Sequence, residues 1–179
     1  MTYLKATCII LFMEQKQESA FTKWKNNLFL SLYAWTKIPL IGFTGPRVLE
    51  SSDQRTVLMV PLNYRTKNHL GAMYFGALAI GAELSIAMLA VKKIQESGLR
   101  IDFLFKDFKA EFLKRAEGDV HFICEQAQTV VDQINEAKDS EERINKTMKA
   151  YAIVPSKSET EHIADFELTL SVKRRQKKS

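Results

Sequence analysis

Cysteine and histidine are scarce in this chain: two cysteines and three histidines occur among 179 residues. Cys8 and Cys124 stand far apart, and no CxxC pair occurs. A disulfide framework and a structural zinc site are therefore excluded as the basis of the fold. Unpaired thiols fit a reducing compartment, and we expect a cytoplasmic protein.

Most of the chain also lacks excess positive charge. The formal net charge is +5, but five basic residues fall within the last seven positions, and without them 21 basic residues balance 21 acidic ones. An extended basic face for nucleic acid is therefore not expected. We expect residues 173–179 to form a basic tail, which is either a solvated end or a site of attraction to anionic lipid or a nucleotide phosphate.

No linker rich in proline, glycine or serine divides the chain, and no internal repeat occurs. The apolar run Cys8–Met13 is too short and too poorly flanked for a signal peptide. We expect residues 1–22 to be a frayed extension, with Met13 as an alternative start, and residues 23–172 to form one domain. With 46% hydrophobic residues, this domain can bury a core without metal or disulfide.

The segment Met73–Val91 contains one charge, Glu83, among 19 residues rich in alanine, leucine, isoleucine and methionine. Its composition predicts a helix that is apolar on nearly every side and must be buried all round. A transmembrane span is the alternative. Glu83 in its middle, together with Gly76 and Gly81, argues against a span, so we expect a core helix.

Alternating apolar residues predict antiparallel strands around this helix. In the run that begins at Ile101, alternation places Leu104 on one side with Phe108, Ala110 and Phe112, and Phe103 and Phe105 on the other. A curved sheet wrapped around one buried helix, an α+β fold, accounts for the pattern. A lead-in helix is expected at Lys23–Thr36 and a hairpin at 47–51 and 55–62. Further strands are expected at 101–113, 120–126, Met148–Val154 and His162–Lys173, and one amphipathic helix at Thr129–Ala137.

The residues at the start of the long helix resemble the hotdog-fold superfamily of acyl-thioester enzymes, chiefly its phenylacetate-type acyl-CoA thioesterase branch. The resemblance spans about Arg47–Val172, and NHLGAMYFGALAIGAE and KAEFLKRAEGDV carry it. Three departures from the branch are visible. Tyr74 stands where histidine is usual, Phe75 where the first glycine is usual, and Arg115 where proline is expected.

The resemblance implies hydrolysis of an acyl-CoA or similar thioester without a metal or redox cofactor; coenzyme A enters only as part of the substrate. The backbone N–H of Phe75 would hold the oxyanion, with Gly76 allowing close approach. Glu83 would activate water or attack, and Asn68 would position the nucleophile. Burial in an apolar helix should raise the pKa of Glu83.

Helix geometry adds an inference of its own. Eight residues separate Phe75 from Glu83, which is about 12 Å along one helix, and a glutamate side chain does not span that distance. If both act on one thioester, they come from different chains with antiparallel central helices. We therefore expect a homodimer with two composite sites, or a dimer of such dimers.

Other readings of these residues stay open. Glu83 is alternatively a structural carboxylate, Asn68 a turn or cap residue, and Tyr74 a packing residue instead of a hydrogen-bond donor to substrate. We expect His121 and His162, which fall at alternating strand positions without partners, to have surface or packing roles. Arg65, Lys67 and Arg115 suit the phosphates of coenzyme A but equally suit solvent.

Two rival functions remain on the same scaffold. A hydratase or dehydratase usually places a histidine beside the thioester, and the predicted helix contains none. A non-catalytic acyl-ligand binding or interaction module is favoured if Phe75 closes the pocket.

Overall fold

The structure is a computed structural model that describes residues 20–175. Cys8, Met13 and the last four residues of the basic tail lie outside this range. Of the expected extension 1–22, the structure describes residues 20–22, and these belong to the first helix. Lys173 and Arg174, expected in the tail, lie in the last strand, and the Arg175 amide donates a hydrogen bond of 2.8 Å to the Arg100 carbonyl.

The lead-in helix and the first hairpin are present as expected, and a short helix that was not predicted lies between them. Helix α1 is Ala20–Lys37, and the short helix α2 is Pro39–Thr44. Strands β1 (Arg47–Ser51) and β2 (Thr56–Val60) pair antiparallel. Asn27 ties α1 to the hairpin, because its side-chain amide donates to the Val48 carbonyl and accepts from the Val48 amide, both at 2.9 Å.

The remaining elements complete an α+β fold of six antiparallel strands and a long central helix. They are α3 (Phe75–Ser97), β3 (Ile101–Phe112), β4 (Val120–Cys124), α4 (Ala127–Asp139), β5 (Ile144–Ile153) and β6 (His162–Arg174). The strand order is β1-β2-β4-β5-β6-β3, so β3 forms one edge of the sheet. Each expected strand and helix is present, with boundaries shifted by a few residues.

Helix α3 occupies the centre of the core. Its residues from Leu84 to Val91 are all buried, and it contacts strands β2, β4 and β5 and helix α4. By length and composition it is the one helix among residues 20–175 that would suffice to cross a membrane, but two thirds of its apolar stretch is buried within the protein. The helix ends at Gly98, whose positive φ of 65° stops it with a left-handed turn.

The sheet approaches the backbone of α3 most closely at Gly81. A Cβ atom at this position would overlap the ring of Phe122 on β4, and Phe122 is itself fully buried. Phe122 packs in turn against Phe166 of β6, with 6.2 Å between ring centroids. The small residue therefore sets how closely the sheet wraps the helix.

Strand β3 departs from the predicted alternation. The pairing with β6 shifts between Phe105 and Asp107, where one extra residue forms a bulge. The bulge exchanges the two faces of the strand, so Phe103 and Phe105 share the inner face with Phe108. The prediction that Leu104 lies on the same side as Phe108 is wrong, because a simple alternation does not include the extra residue.

The contact of Gly81 with Phe122 gives a prediction about stability. Gly81→Ala should lower the free energy of unfolding by roughly 1–2 kcal/mol, because overpacking outweighs the gain in helix propensity. Chemical denaturation measures this change. In a Phe122→Leu background the same substitution should lose less stability; equal losses in both backgrounds would contradict the contact.

Candidate functional site

A loop anchored by hydrogen bonds places the start of helix α3. The buried Thr66 donates its hydroxyl to the Pro61 carbonyl (2.6 Å), and its own carbonyl accepts the Tyr74 amide (2.8 Å). The Met73 amide donates to the Ala116 carbonyl at 2.9 Å. These bonds join the loop and the chain after β3 to the first turn of the helix.

The first turn of α3 has free donors. Tyr74 is the N-cap and makes no side-chain capping bond, while the Ala77 and Leu78 amides both donate to the Tyr74 carbonyl. Within residues 20–175 the N–H groups of Phe75 and Gly76 have no hydrogen-bond acceptor. The helix start therefore presents two unpaired donors and a partial positive charge.

Tyr74 and Phe75 flank these donors with exposed rings. Their side chains are 49% and 60% exposed, and their ring centroids lie 4.7 Å apart. The Tyr74 ring lies so close to Gly76 that a Cβ atom there would overlap it. The Tyr74 ring therefore occupies the space that a side chain at Gly76 would need.

Glu83 lies in an open groove of about 600 Å³ between α1, α3 and β3. The carboxylate is partly buried, and within residues 20–175 it makes no hydrogen bond or ion pair. Burial raises the pKa of Glu83 above its ordinary value. Apart from Glu83 and Tyr33, the groove is lined by apolar side chains: Ile38, Ala79, Ile80, Phe103, Leu104, Phe105, Phe108 and Leu168.

Tyr33 is a groove residue that the sequence analysis missed. Burial raises the pKa of its phenol, and the charge of Glu83 raises it further. A neutral hydroxyl beside Glu83 is a second polar group available to a ligand. Its position in the lead-in helix carries no motif, so only the packing of α1 near α3 reveals it.

Asn68 takes part in a turn. Its side-chain Oδ1 accepts a hydrogen bond from the Leu70 backbone amide at 2.8 Å, and its backbone amide donates to the Ala72 carbonyl at 2.7 Å. Gly71, with φ of 80°, completes this tight loop. The turn occupies Oδ1 and leaves the Nδ2 donor of Asn68 for another partner.

The three residues expected to bind the phosphates of coenzyme A lie in segments that backbone hydrogen bonds hold near the start of α3. Arg65 precedes Thr66, Lys67 forms a β-bridge with Met73, and Arg115 precedes Ala116. Lys67 and Arg115 are exposed. The Arg65 guanidinium lies near the rings of Phe43 and Tyr64, at 5.7 and 5.8 Å from their centroids, and its buried Nε has no acceptor within residues 20–175.

One chain does not bring the helix start and Glu83 together. Phe75 and Tyr74 do not line the groove that holds Glu83, and two helical turns separate them from it. The side chain of Phe75 therefore leaves the groove of its own chain open.

The histidines lie away from this groove. His121 is on β4, where burial lowers its pKa and Asp119 opposes that effect. His162 on β6 is not without partners: its Nδ1 lies 2.7 Å from Asp165 Oδ1, and its ring stacks on Tyr151 at 4.1 Å. These three residues line a separate cavity of about 420 Å³.

Comparisons with known proteins agree with this architecture. A family model described as Domain of unknown function (DUF4442) matches residues 26–172. Among curated proteins, no sequence matches this chain.

Three similar solved structures show the extent of the likeness. A protein of unknown function from Chlorobaculum tepidum has a TM-score of 0.71 at 13% identity, over 86% of this chain and 97% of that one. A candidate thioesterase from Shewanella oneidensis has a TM-score of 0.68 at 13% identity, over 82% and 96%. A mutant thioesterase from Pseudomonas aeruginosa has a TM-score of 0.60 at 14% identity, over 83% and 94%. At these identities the likeness shows the fold, which is the hotdog fold.

The raised pKa of Glu83 predicts a pH dependence of stability. The folded protein holds this proton more tightly than the unfolded chain does, so stability should fall as pH rises from the ordinary value of 4.5 through the raised one. Glu83→Gln should remove that loss and be more stable than the parent at pH 8. Denaturation at pH 4 and pH 8 measures this, and Glu117→Gln, at an exposed turn, controls for the loss of one negative charge.

Proposed function

Since the chain belongs to the DUF4442 family and has the hotdog fold, we propose that it hydrolyses acyl thioesters, with acyl-CoA as the substrate class. One observation carries the proposal: Glu83, without a partner among the described residues, lies in an apolar groove on the helix that starts with two unpaired amide donors. An apolar groove suits an acyl chain. The donors suit the carbonyl oxygen of a thioester.

The proposed reaction uses these groups in one sequence of steps. The N–H of Phe75 donates to the thioester oxygen, while the Glu83 carboxylate takes a proton from water as the water oxygen bonds to the carbonyl carbon. The tetrahedral intermediate then collapses, the C–S bond breaks, and the thiolate takes the proton back from Glu83. Direct attack by the Glu83 carboxylate, followed by hydrolysis of the resulting anhydride, is the alternative route to the same products.

The surrounding side chains receive supporting roles. The pKa of Glu83, raised by burial, makes its carboxylate a stronger base than an exposed one. In this proposal Asn68 orients the water through its Nδ2, and the exposed Tyr74 side chain donates its hydroxyl to the substrate. Arg65, Lys67 and Arg115, whose backbones adjoin the helix start, contact the phosphates of coenzyme A.

The active unit in this proposal is a homodimer. About 12 Å of helix separates Phe75 from Glu83, so the oxyanion donor and the base come from different chains. The 12-residue edge strand β3 supports this, since exposed apolar side chains such as Leu104, Phe108 and Phe112 lie along it. A long apolar edge of this kind favours association with another chain.

The two rival functions differ from hydrolysis in what they require. A hydratase needs a proton-transfer group such as histidine by the thioester, and neither α3 nor the groove contains one. A non-catalytic acyl-binding module was the expectation if Phe75 closed the pocket, but its ring lies outside the groove of its own chain. The groove of a single chain is therefore open to an acyl ligand, and turnover, which the assay below measures, separates hydrolysis from binding alone. A cytoplasmic location is part of the proposal, in keeping with the free thiol of Cys124.

Loss of the Glu83 carboxylate tests the function. Glu83→Gln should lower kcat for acyl-CoA hydrolysis by about a hundredfold or more while KM changes little, because the amide cannot accept the proton of water. Short, long and aryl acyl-CoAs should be assayed by release of free coenzyme A. Equal rates for the two proteins would remove Glu83 as the catalyst, and acyl-CoA binding without turnover in the parent would establish the binding module.

Mixing two inactive variants tests the composite site. Phe75→Pro removes the proposed donor at the first helical position, where proline is tolerated, and Tyr74 already has the extended backbone (φ −65°, ψ 139°) that precedes proline. Phe75→Pro alone should be inactive, whereas Phe75→Ala keeps the N–H and should retain activity. Refolding Phe75→Pro together with Glu83→Gln should restore about one quarter of the parental rate, because half of the dimers then contain one intact site.

No recovery in this mixture would overturn the assignment of the two groups to different chains. The dimers must first be shown to exchange subunits, which two differently tagged copies of the parent report.

A further inference from the structure

Helix α1 has two apolar faces, and within residues 20–175 only one of them is covered. Leu30 and Ala34 are buried against the domain. Roughly opposite them five large apolar side chains, which we call the exposed stripe, are 44–63% exposed: Phe21, Trp24, Leu28, Leu32 and Trp35.

The exposed stripe is narrow and continuous. At 100° per residue its five members fall within an arc of about 80°, and they extend along about 21 Å of helix. Trp35 lies over Gly42 of α2, where a Cβ atom would overlap the indole. Leu40 and Phe43 of α2, 64% and 47% exposed, add further apolar surface next to it in the chain.

The segment of the chain that carries the exposed stripe has charge of one sign. Residues 20–47 contain four basic residues and no acidic one, although the body of the domain as a whole is neutral. Lys25, Lys37 and Arg47 are exposed, and the Lys25 ammonium lies 4.4 Å from the centroid of Phe21. Lysine beside exposed tryptophan, phenylalanine and leucine on one helix is the pattern of a helix that lies in the interface of an anionic bilayer.

We propose that helix α1 binds the surface of anionic lipid bilayers, with the exposed stripe inserted at the level of the headgroups. The tryptophans suit this depth, because an indole ring has an apolar body and one N–H donor. Lys25, which borders the exposed stripe on the helix, meets the lipid phosphates, and its long aliphatic stem lets the charge reach the headgroups. The proposal does not depend on the reaction at Glu83.

The two tryptophans of the chain, Trp24 and Trp35, both belong to the exposed stripe, so intrinsic fluorescence reports directly on it. The full chain should show the long-wavelength emission of water-exposed indole. Vesicles of equal parts phosphatidylcholine and phosphatidylglycerol should shift the emission to shorter wavelength, and brominated acyl chains should quench it. Pure phosphatidylcholine should have a much weaker effect.

Two pairs of variants separate the apolar and the electrostatic contributions. Leu28→Ser with Leu32→Ser keeps both tryptophans and should weaken partitioning into the anionic vesicles by about tenfold or more. Leu70→Ser with Leu113→Ser, similarly exposed at 59% and 46%, is the control and should bind like the parent. Circular dichroism confirms that each variant folds.

Lys25→Glu should also weaken binding by about tenfold, and the residual binding should depend less on salt. Lys157→Glu changes the net charge equally at an exposed position elsewhere and should weaken binding far less.

Three results would overturn the proposal. The first is no vesicle-induced shift in the full chain. The second is short-wavelength emission without lipid that moves to long wavelength when residues 1–19 are deleted, which would assign the exposed stripe to that segment. The third is a shift that depends on protein concentration and not on lipid, which would assign it to a second copy of the chain.

Discussion

The enclosure of helix α3 by the sheet is the interaction on which the rest of the fold depends. A helix that is apolar on nearly every side gains little from covering one face, so the strands must curve around it. Gly81 permits this curvature, since the ring of Phe122 occupies the space that a side chain at Gly81 would need. Phe122 and Phe166 then carry the packing across the sheet.

The enclosure also gives Glu83 its properties. The same helix that packs against β2, β4 and β5 on one side leaves a groove toward α1 and β3 on the other, and Glu83 faces this groove. A carboxylate there loses hydration without gaining a partner among the described residues, which is why its pKa rises. An unpaired, partly buried carboxylate destabilises the fold at neutral pH, and the proposed role in hydrolysis explains why such a group lies in the groove.

The sequence pattern was sufficient to predict the strands and the longer helices, but not which side chains of each strand face the core. The uninterrupted apolar composition of α3 and the alternation in the strands predicted an α+β fold with a sheet around one buried helix, because both patterns follow directly from burial. The hotdog fold was expected from the resemblance of the residues around the start of α3 to that superfamily. The bulge in β3 escaped prediction, since one extra residue at Lys106 leaves the composition unchanged while exchanging the faces. The pairs Tyr33–Glu83 and His162–Asp165 escaped for another reason. The first depends on how α1 packs, and the second joins residues three apart on a strand, where alternation predicts opposite faces.

The balanced total charge of the domain concealed a segment whose charges are all positive. Equal totals of 21 acidic and 21 basic residues describe the body of the chain correctly, yet all four charges between residues 20 and 47 are positive. Helix α1 therefore has three different surroundings: the core at Leu30, the groove at Tyr33 and solvent at Trp24. A helix needs only its buried face to fold, so an exposed apolar stripe bordered by Lys25 is surplus to folding and indicates a binding partner. A total charge does not show whether acidic and basic residues are mixed over the surface or gathered in separate regions. Only a surface with a separate basic region attracts an anionic bilayer.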